Sequence, residues 1–356
     1  MQSYMPSATR KDYKSRTSWI DIWKGLLIFQ IIVFHALGVA NAYVPNAASG
    51  AVKALSSFIE NYHVTAFFVV TGMLWQRGID FGAFVSKKAF RLLVPYLVFG
   101  LFWAMLYVLL SHAIGVAESG STIAWSPFAS VLLCNGWPEG EGWRVVNALW
   151  FLPCMFLTSI CYWFIDRTTP KFWQQVIVLL VLNGLEQHSV TLLPWAAERI
   201  PRMLIFVIIG RWVGKIFDVR SRRPCLALSV ALYAISSFRP IVSFLCDWFG
   251  LGAWRFIVQS FLAIAASGFL SRTISQSRFL ECLGKSSLVI LCLHKLPILL
   301  IQAIPPAMAL LYGNIAWPIS LALVSIMTAV LSLQGAHILR RLCPAVIGEK
   351  RVGLKT

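Results

Sequence analysis

Two ionisable side chains interrupt the first long apolar stretch of the chain, Lys24 and His35. Eleven residues make about three helical turns, so on a helix the two share one face and stand ~16 Å apart along the axis. Ionisable groups inside a membrane span are costly, which makes each a functional candidate by default. Two more imidazoles, His63 and His294, fall at a similar depth in later apolar segments. A single buried histidine is usually a satisfied core residue, whereas three at one level suggest proton transfer, for which imidazole is suited near neutral pH. Three histidines also have the donor count of a zinc site. No carboxylate second shell accompanies them at that depth, and no metal is expected. A basic cluster, Lys87-Lys88-Ala89-Phe90-Arg91, leads into Pro95-Tyr96. Cations fixed there could hold phosphates through charge-assisted hydrogen bonds, although such clusters also serve as plain topological anchors.

The elements that must position these groups are transmembrane helices. Of 356 residues 58% are hydrophobic and 13% charged, with mean hydropathy +0.73, too little polar surface to cover a soluble core. Apolar segments lie at 19–40, 55–76, 92–112, 148–165, 173–186, 200–217, 225–238, 253–270, 286–303 and 315–337. At about 20 residues per span, the expected fold is all-α, a polytopic integral membrane bundle of about ten helices. Residues 1–18 would be a cytoplasmic tail, 19–340 the membrane domain with an external loop at 113–147, and 341–356 a second cytoplasmic tail.

The net charge of +17 might suggest nucleic acid. With both termini cytoplasmic, however, 23 of the 31 basic residues fall on the cytoplasmic side. That is the positive-inside bias, which fixes orientation and leaves no need for a polyanionic partner. Ala40-Asn41-Ala42 resembles a leader-cleavage site, but Asp21, Lys24, Gln30 and His35 interrupt the apolar run, as leader peptides avoid. Ser18 with Asp21 is expected to cap the first helix. The loop at 113–147 carries Trp125, Trp137, Trp143, Glu118, Glu139 and Glu141, which fit either an interfacial aromatic belt or stacking on sugar rings. The eight cysteines form no CxxC pair, and most read as small hydrophobes. Only Cys134 and Cys246 are expected on the outer face, their pairing left open.

Five blocks in order resemble the acyltransferase-3 family of membrane O-acyltransferases, especially its fucose 4-O-acetylase-like branch. The first is Trp19-Ile20-Asp21-Ile22-Trp23-Lys24-Gly25 through Phe34-His35, and the second His63 through Phe67-Phe68-Val69-Val70-Thr71-Gly72. Lys88 and Arg91 followed by Pro95-Tyr96 form the third. Leu149-Trp150-Phe151-Leu152-Pro153 and Leu283-Gly284-Lys285-Ser286-Ser287 through His294 complete the set. Thr65 stands where the family has proline and is expected to loosen the second helix near His63; Thr71 replaces serine and Lys88 arginine.

The resemblance implies acyl transfer, usually acetyl from acetyl-CoA, onto a sugar hydroxyl of a surface polysaccharide or lipid-linked glycan, in a bacterial inner membrane. Lys24, Lys88 and Arg91 would then hold the donor's phosphates. His35, with His63 and His294, would carry the transfer, as general base or through an acetyl-histidine. A transporter or flippase for a sugar-lipid or anionic substrate would use the same buried ions without chemistry. A non-catalytic scaffold does not account for the Lys24–His35 spacing.

Overall fold

The computed structural model describes residues 7–41, 43, 46–113, 126–133, 147–188, 193–214, 222–248, 252–274, 276–304, 310–312 and 316–350. Every regular element among them is helical, and each of the ten apolar segments lies largely on helix. Five helical stretches are long and apolar enough to cross a bilayer: Ser18–Ala40, Phe81–Leu109, Ala148–Thr168, Arg255–Thr273 and Trp317–Leu342. A sixth candidate is a bent pair, Arg278–Lys285 with Ser287–Gln302, broken by 75°.

The chain divides into two compact units, residues 1–73 with 213–336 and residues 74–212 with 337–356. In the first, α1 (Ser7–Ala40) is the central post. Ile22, Trp23, Leu27, Ile32, Ala36 and Leu37 on it are fully buried. Around it pack α2 (Asn46–Glu60), α3 (His63–Met73), and three helices from later in the unit. These are taken below as α11 (Arg255–Thr273), α12 (Arg278–Lys285) and α13 (Ser287–Leu293). Small residues let α11 approach closely, Ala263 through Gly268 being buried along it. Trp23 on α1 donates its indole N–H to Ser267 Oγ at 2.8 Å.

The tightest crossing is that of α1 with α12. A Cβ on Gly25 would lie 1.9 Å from the carbonyl oxygen of Leu280, and one on Gly284 would lie 1.7 Å from that of Asp21. Backbone meets backbone there, so only glycine fits at either position. The last α-helix among the described residues, α15 (Trp317–Leu342), packs Leu321 and Val324 against α1 and α2 in this unit. Its outward face is Ile319, Leu323, Ile326 and Val330, all exposed, while Ser320, Ser325, Thr328 and Ser332 point inward. Apolar outside and hydroxyl inside is the pattern of a helix solvated by lipid. Between α3 and α11 in sequence, α4 to α10 comprise Phe81–Ala113, Ser126–Leu133, Phe151–Thr168, Phe172–His188, Ile200–Val213, Arg222–Ser237 and Arg239–Trp248; α14 is Lys295–Gln302.

In the second unit, α4 packs on α5, on α6 and on the short turn 344–347. Tyr96 donates its hydroxyl to the Val131 carbonyl. The carboxylate of Asp166 on α6 receives Trp75 Nε1 at 3.2 Å and Arg77 in a fork at 2.8–3.1 Å. This pins the 74–80 connection to the end of α6, and the hydrogen bond to Asp166 raises the Arg77 pKa above its ordinary value.

Four expectations change. First, α1 begins at Ser7 and runs through Ser18, so Ser18 caps nothing. Asp21 instead pairs with Lys24 at 2.6 Å. Second, segment 55–76 is two helices, broken at Asn61-Tyr62. Third, segment 286–303 is broken at His294. Fourth, the interval 113–147 is not wholly irregular, since α5 lies within it. Trp125, Trp137, Trp143, Glu118, Glu139, Glu141 and Cys134 fall outside the described residues. Cys246 is a buried thiol.

Candidate active site

The α1–α12 crossing sets the site. Gly25 and Gly284 each precede a histidine by ten residues, His35 and His294. The chain leaves α12 at Ser286, forms α13, and breaks again at His294, before α14. Both α13 and α14 pack on α1. The His35 and His294 rings thereby come together, with centroids 4.9 Å apart and planes tilted by 40°.

The break also fixes the state of His294. Its Nδ1 lies 3.1 Å from the Ile290 carbonyl and 2.9 Å from that of Leu291. A carbonyl only accepts, so Nδ1 carries the proton and Nε2 presents a lone pair. Nε2 is buried and has no hydrogen-bond partner among the described residues. His63 is held in the same way. As the first residue of α3 it donates Nδ1–H to the Ile59 carbonyl at 2.6 Å, across the Asn61-Tyr62 break. Thr65, in the family's proline position, donates to the Tyr62 carbonyl at 3.0 Å and secures the start of α3. The His63 ring meets Phe34 at 5.2 Å, and Phe34 in turn lies edge-on to His35 at 5.2 Å.

The interior of this unit holds other buried polar atoms without partners among the described residues: Gln30 Oε1, Asn61 Nδ2, Tyr312 Oη, Ser325 Oγ, Thr328 Oγ1 and Ser332 Oγ. Each such atom is costly away from water, and their concentration suits a polar ligand. Val324, beside Ser325, packs with Ala36 and Leu37 next to His35. A Cβ on Gly335 would meet Leu293, the neighbour of His294. The hydroxyl face of α15 therefore passes the histidine pair. Among the described residues no three His, Cys, Asp or Glu are grouped to hold a metal ion.

The expected phosphate-binding cations are of three kinds. Lys24 is partly buried and already neutralised by Asp21. Lys88, in the second unit, donates to Ser159 Oγ at 3.3 Å and lies over the Phe84 ring. Arg91 is exposed on α4; its backbone packs against Gly348 of the 344–348 turn. A cleft of about 400 Å³ in the same unit is lined by Trp75, Arg77, Trp163 and Asp166 and contains none of the expected site residues. One residue escaped the sequence reading, Lys295. It follows His294 directly in the chain and opens α14, which packs on α1. The signal was present, since Lys295, like Lys24, is a cation well inside an apolar segment.

A family model for the acyltransferase domain of the acyltransferase-3 type matches residues 17–334. The chain belongs to the acyltransferase-3 family. It is a multi-pass membrane acyltransferase, and both paired histidines and the two helix-crossing glycines fall inside the matched region. No curated protein and no solved structure shows significant similarity to this acyltransferase.

Proposed function

We propose that this acyltransferase is an O-acetyltransferase of the bacterial inner membrane, with both termini cytoplasmic and about ten spans. It takes acetyl from cytoplasmic acetyl-CoA and places it on a sugar hydroxyl of a surface polysaccharide or lipid-linked glycan. The observation that carries this reading is the His35–His294 pair at 4.9 Å, with His35 on the helix that also bears Lys24 three turns away. His35 takes the proton of the reacting hydroxyl. Nε2 of His294 can only accept, so it receives a hydrogen bond from a neighbouring sugar hydroxyl and orients the acceptor. His63, tethered behind Phe34, buttresses the His35 ring. Arg91, Lys88 and Lys24 hold the donor's phosphates.

The test uses the full chain purified in detergent. Acetyl-CoA cleavage and transfer should be lost in His35→Ala while its level in the membrane stays near wild type. Mass spectrometry of surface glycans with and without the gene identifies the acceptor. Full activity of His35→Ala removes that residue from the mechanism. Substrate movement without thioester cleavage by the wild type would make the protein a carrier.

A further inference from the structure

The transfer centre as built from histidines lacks a positive group for the charge that acyl transfer creates. Attack of a hydroxyl on a thioester places negative charge on the carbonyl oxygen, and enzymes of this kind gain most from a fixed donor aimed there. The two paired rings are His35 and His294, and the Nδ1–H of His294 is already given to main-chain carbonyls. Lys24 stands three turns away along α1 and is paired with Asp21. The cation nearest to His294 along the chain is Lys295. Lys295 is partly buried at the start of α14, immediately after the break, and has no carboxylate or other ion-pair partner among the described residues. An ammonium within a membrane span without a counter-ion is costly, and here its residue directly follows, in the chain, a buried imidazole whose Nε2 has no hydrogen-bond partner among the described residues. Two unmet polar groups at consecutive positions of a helix break point to one polar ligand that meets both.

We propose that Lys295 is a catalytic residue whose ammonium stabilises the oxyanion of the tetrahedral intermediate. The inference rests on the acyl-transfer reading above. In the step, the acceptor oxygen bonds to the thioester carbonyl carbon and His35 receives the hydroxyl proton. The C=O electron pair becomes an alkoxide facing Lys295. As the carbonyl re-forms the C–S bond breaks, and the departing thiolate takes the proton back from His35. Lys295 keeps its protons throughout, and no oxidant, reductant or metal enters.

The experiment compares wild type, Lys295→Met, Lys295→Arg and His35→Ala as full-length protein in detergent, with acetyl-CoA as donor. Turnover, donor affinity by calorimetry and the thermal midpoint are measured on each. Lys295→Met should lower kcat about 10²–10³-fold with acetyl-CoA affinity and thermal midpoint unchanged. Lys295→Arg, which keeps the charge on a different geometry, should recover part of the loss. A normal kcat in Lys295→Met, beside an active wild type and an inactive His35→Ala, overturns the inference and leaves the acyl-transfer reading standing. So does a raised acceptor KM at unchanged kcat, which would make Lys295 a binding group for an anionic acceptor. If Lys295→Met does not accumulate, Lys295→Arg decides. Reduced kcat at unchanged donor KM supports the role, and wild-type values for both refute it. A wild type that cleaves no thioester sinks the acyl-transfer reading and this inference together.

Discussion

Gly284→Ala is the substitution whose outcome follows most directly from the geometry. The new methyl would stand 1.7 Å from the Asp21 carbonyl oxygen. Such contacts do not occur below 3.0 Å, so α1 and α12 must part by at least 1.3 Å. The obstructing atom is backbone and cannot rotate aside. In an open helix position glycine to alanine stabilises by about 1 kcal/mol, whereas overpacking of this severity costs about 3 kcal/mol. The expected net is a loss of about 2 kcal/mol, opposite in sign to the propensity effect. Activity should fall further, because α12 delivers His294 to His35 and a displacement of about 1 Å at a reacting centre costs about 10²-fold. The assay is acetyl-CoA turnover and thermal midpoint on purified protein, with Gly38→Ala as control. Gly38 lies on α1 with nothing within 4 Å of its Cβ position, so that variant should be neutral or stabilised and fully active. If Gly284→Ala behaves like Gly38→Ala, the crossing does not set the histidine pair and the positioning argument is wrong.

Two further outcomes are expected. Arg91→Ala and Lys88→Ala should weaken acetyl-CoA binding by roughly ten- to more than a hundredfold, the worth of a charge-assisted hydrogen bond of ~1.5–3 kcal/mol. Lys24→Ala should cost less, because Asp21 already neutralises that ammonium; wild-type affinity in all three by calorimetry would reduce them to anchors. Reporter fusions after Arg77, Arg220 and Thr356 should read cytoplasmic and fusions near Ser119 and Gly313 external, and one reversed site breaks the ten-span topology.

Much of this was readable along the chain. Hydropathy located the helices because a span must be apolar for some 20 residues whatever it packs against. The same rule exposed Lys24, His35, His63 and His294 as residues out of place. The start of α1 was misjudged because a polar, charged stretch such as 7–17 can extend a helix beyond the membrane, and Ser18 signals a cap only if the helix ends there. The break at Asn61-Tyr62 carries no proline or glycine at the point of rupture and leaves no local signature, being maintained by bonds such as His63 to Ile59 and Thr65 to Tyr62. The break at His294 does have one in Pro297, three residues on, which cannot donate the backbone bond that would continue the preceding helix.

The sequence by itself determined a helical membrane protein of the acyltransferase-3 type and the residues able to move a proton. Composition and spacing are properties of the chain alone. The tertiary structure decided which of those residues meet. Helical periodicity gives a residue its face and height but not its neighbour across the bundle, and that neighbour depends on backbone contact between residues some 250 positions apart. Gly25 against Leu280 and Gly284 against Asp21 bring His294 to His35, with Phe34 in contact with both His35 and His63.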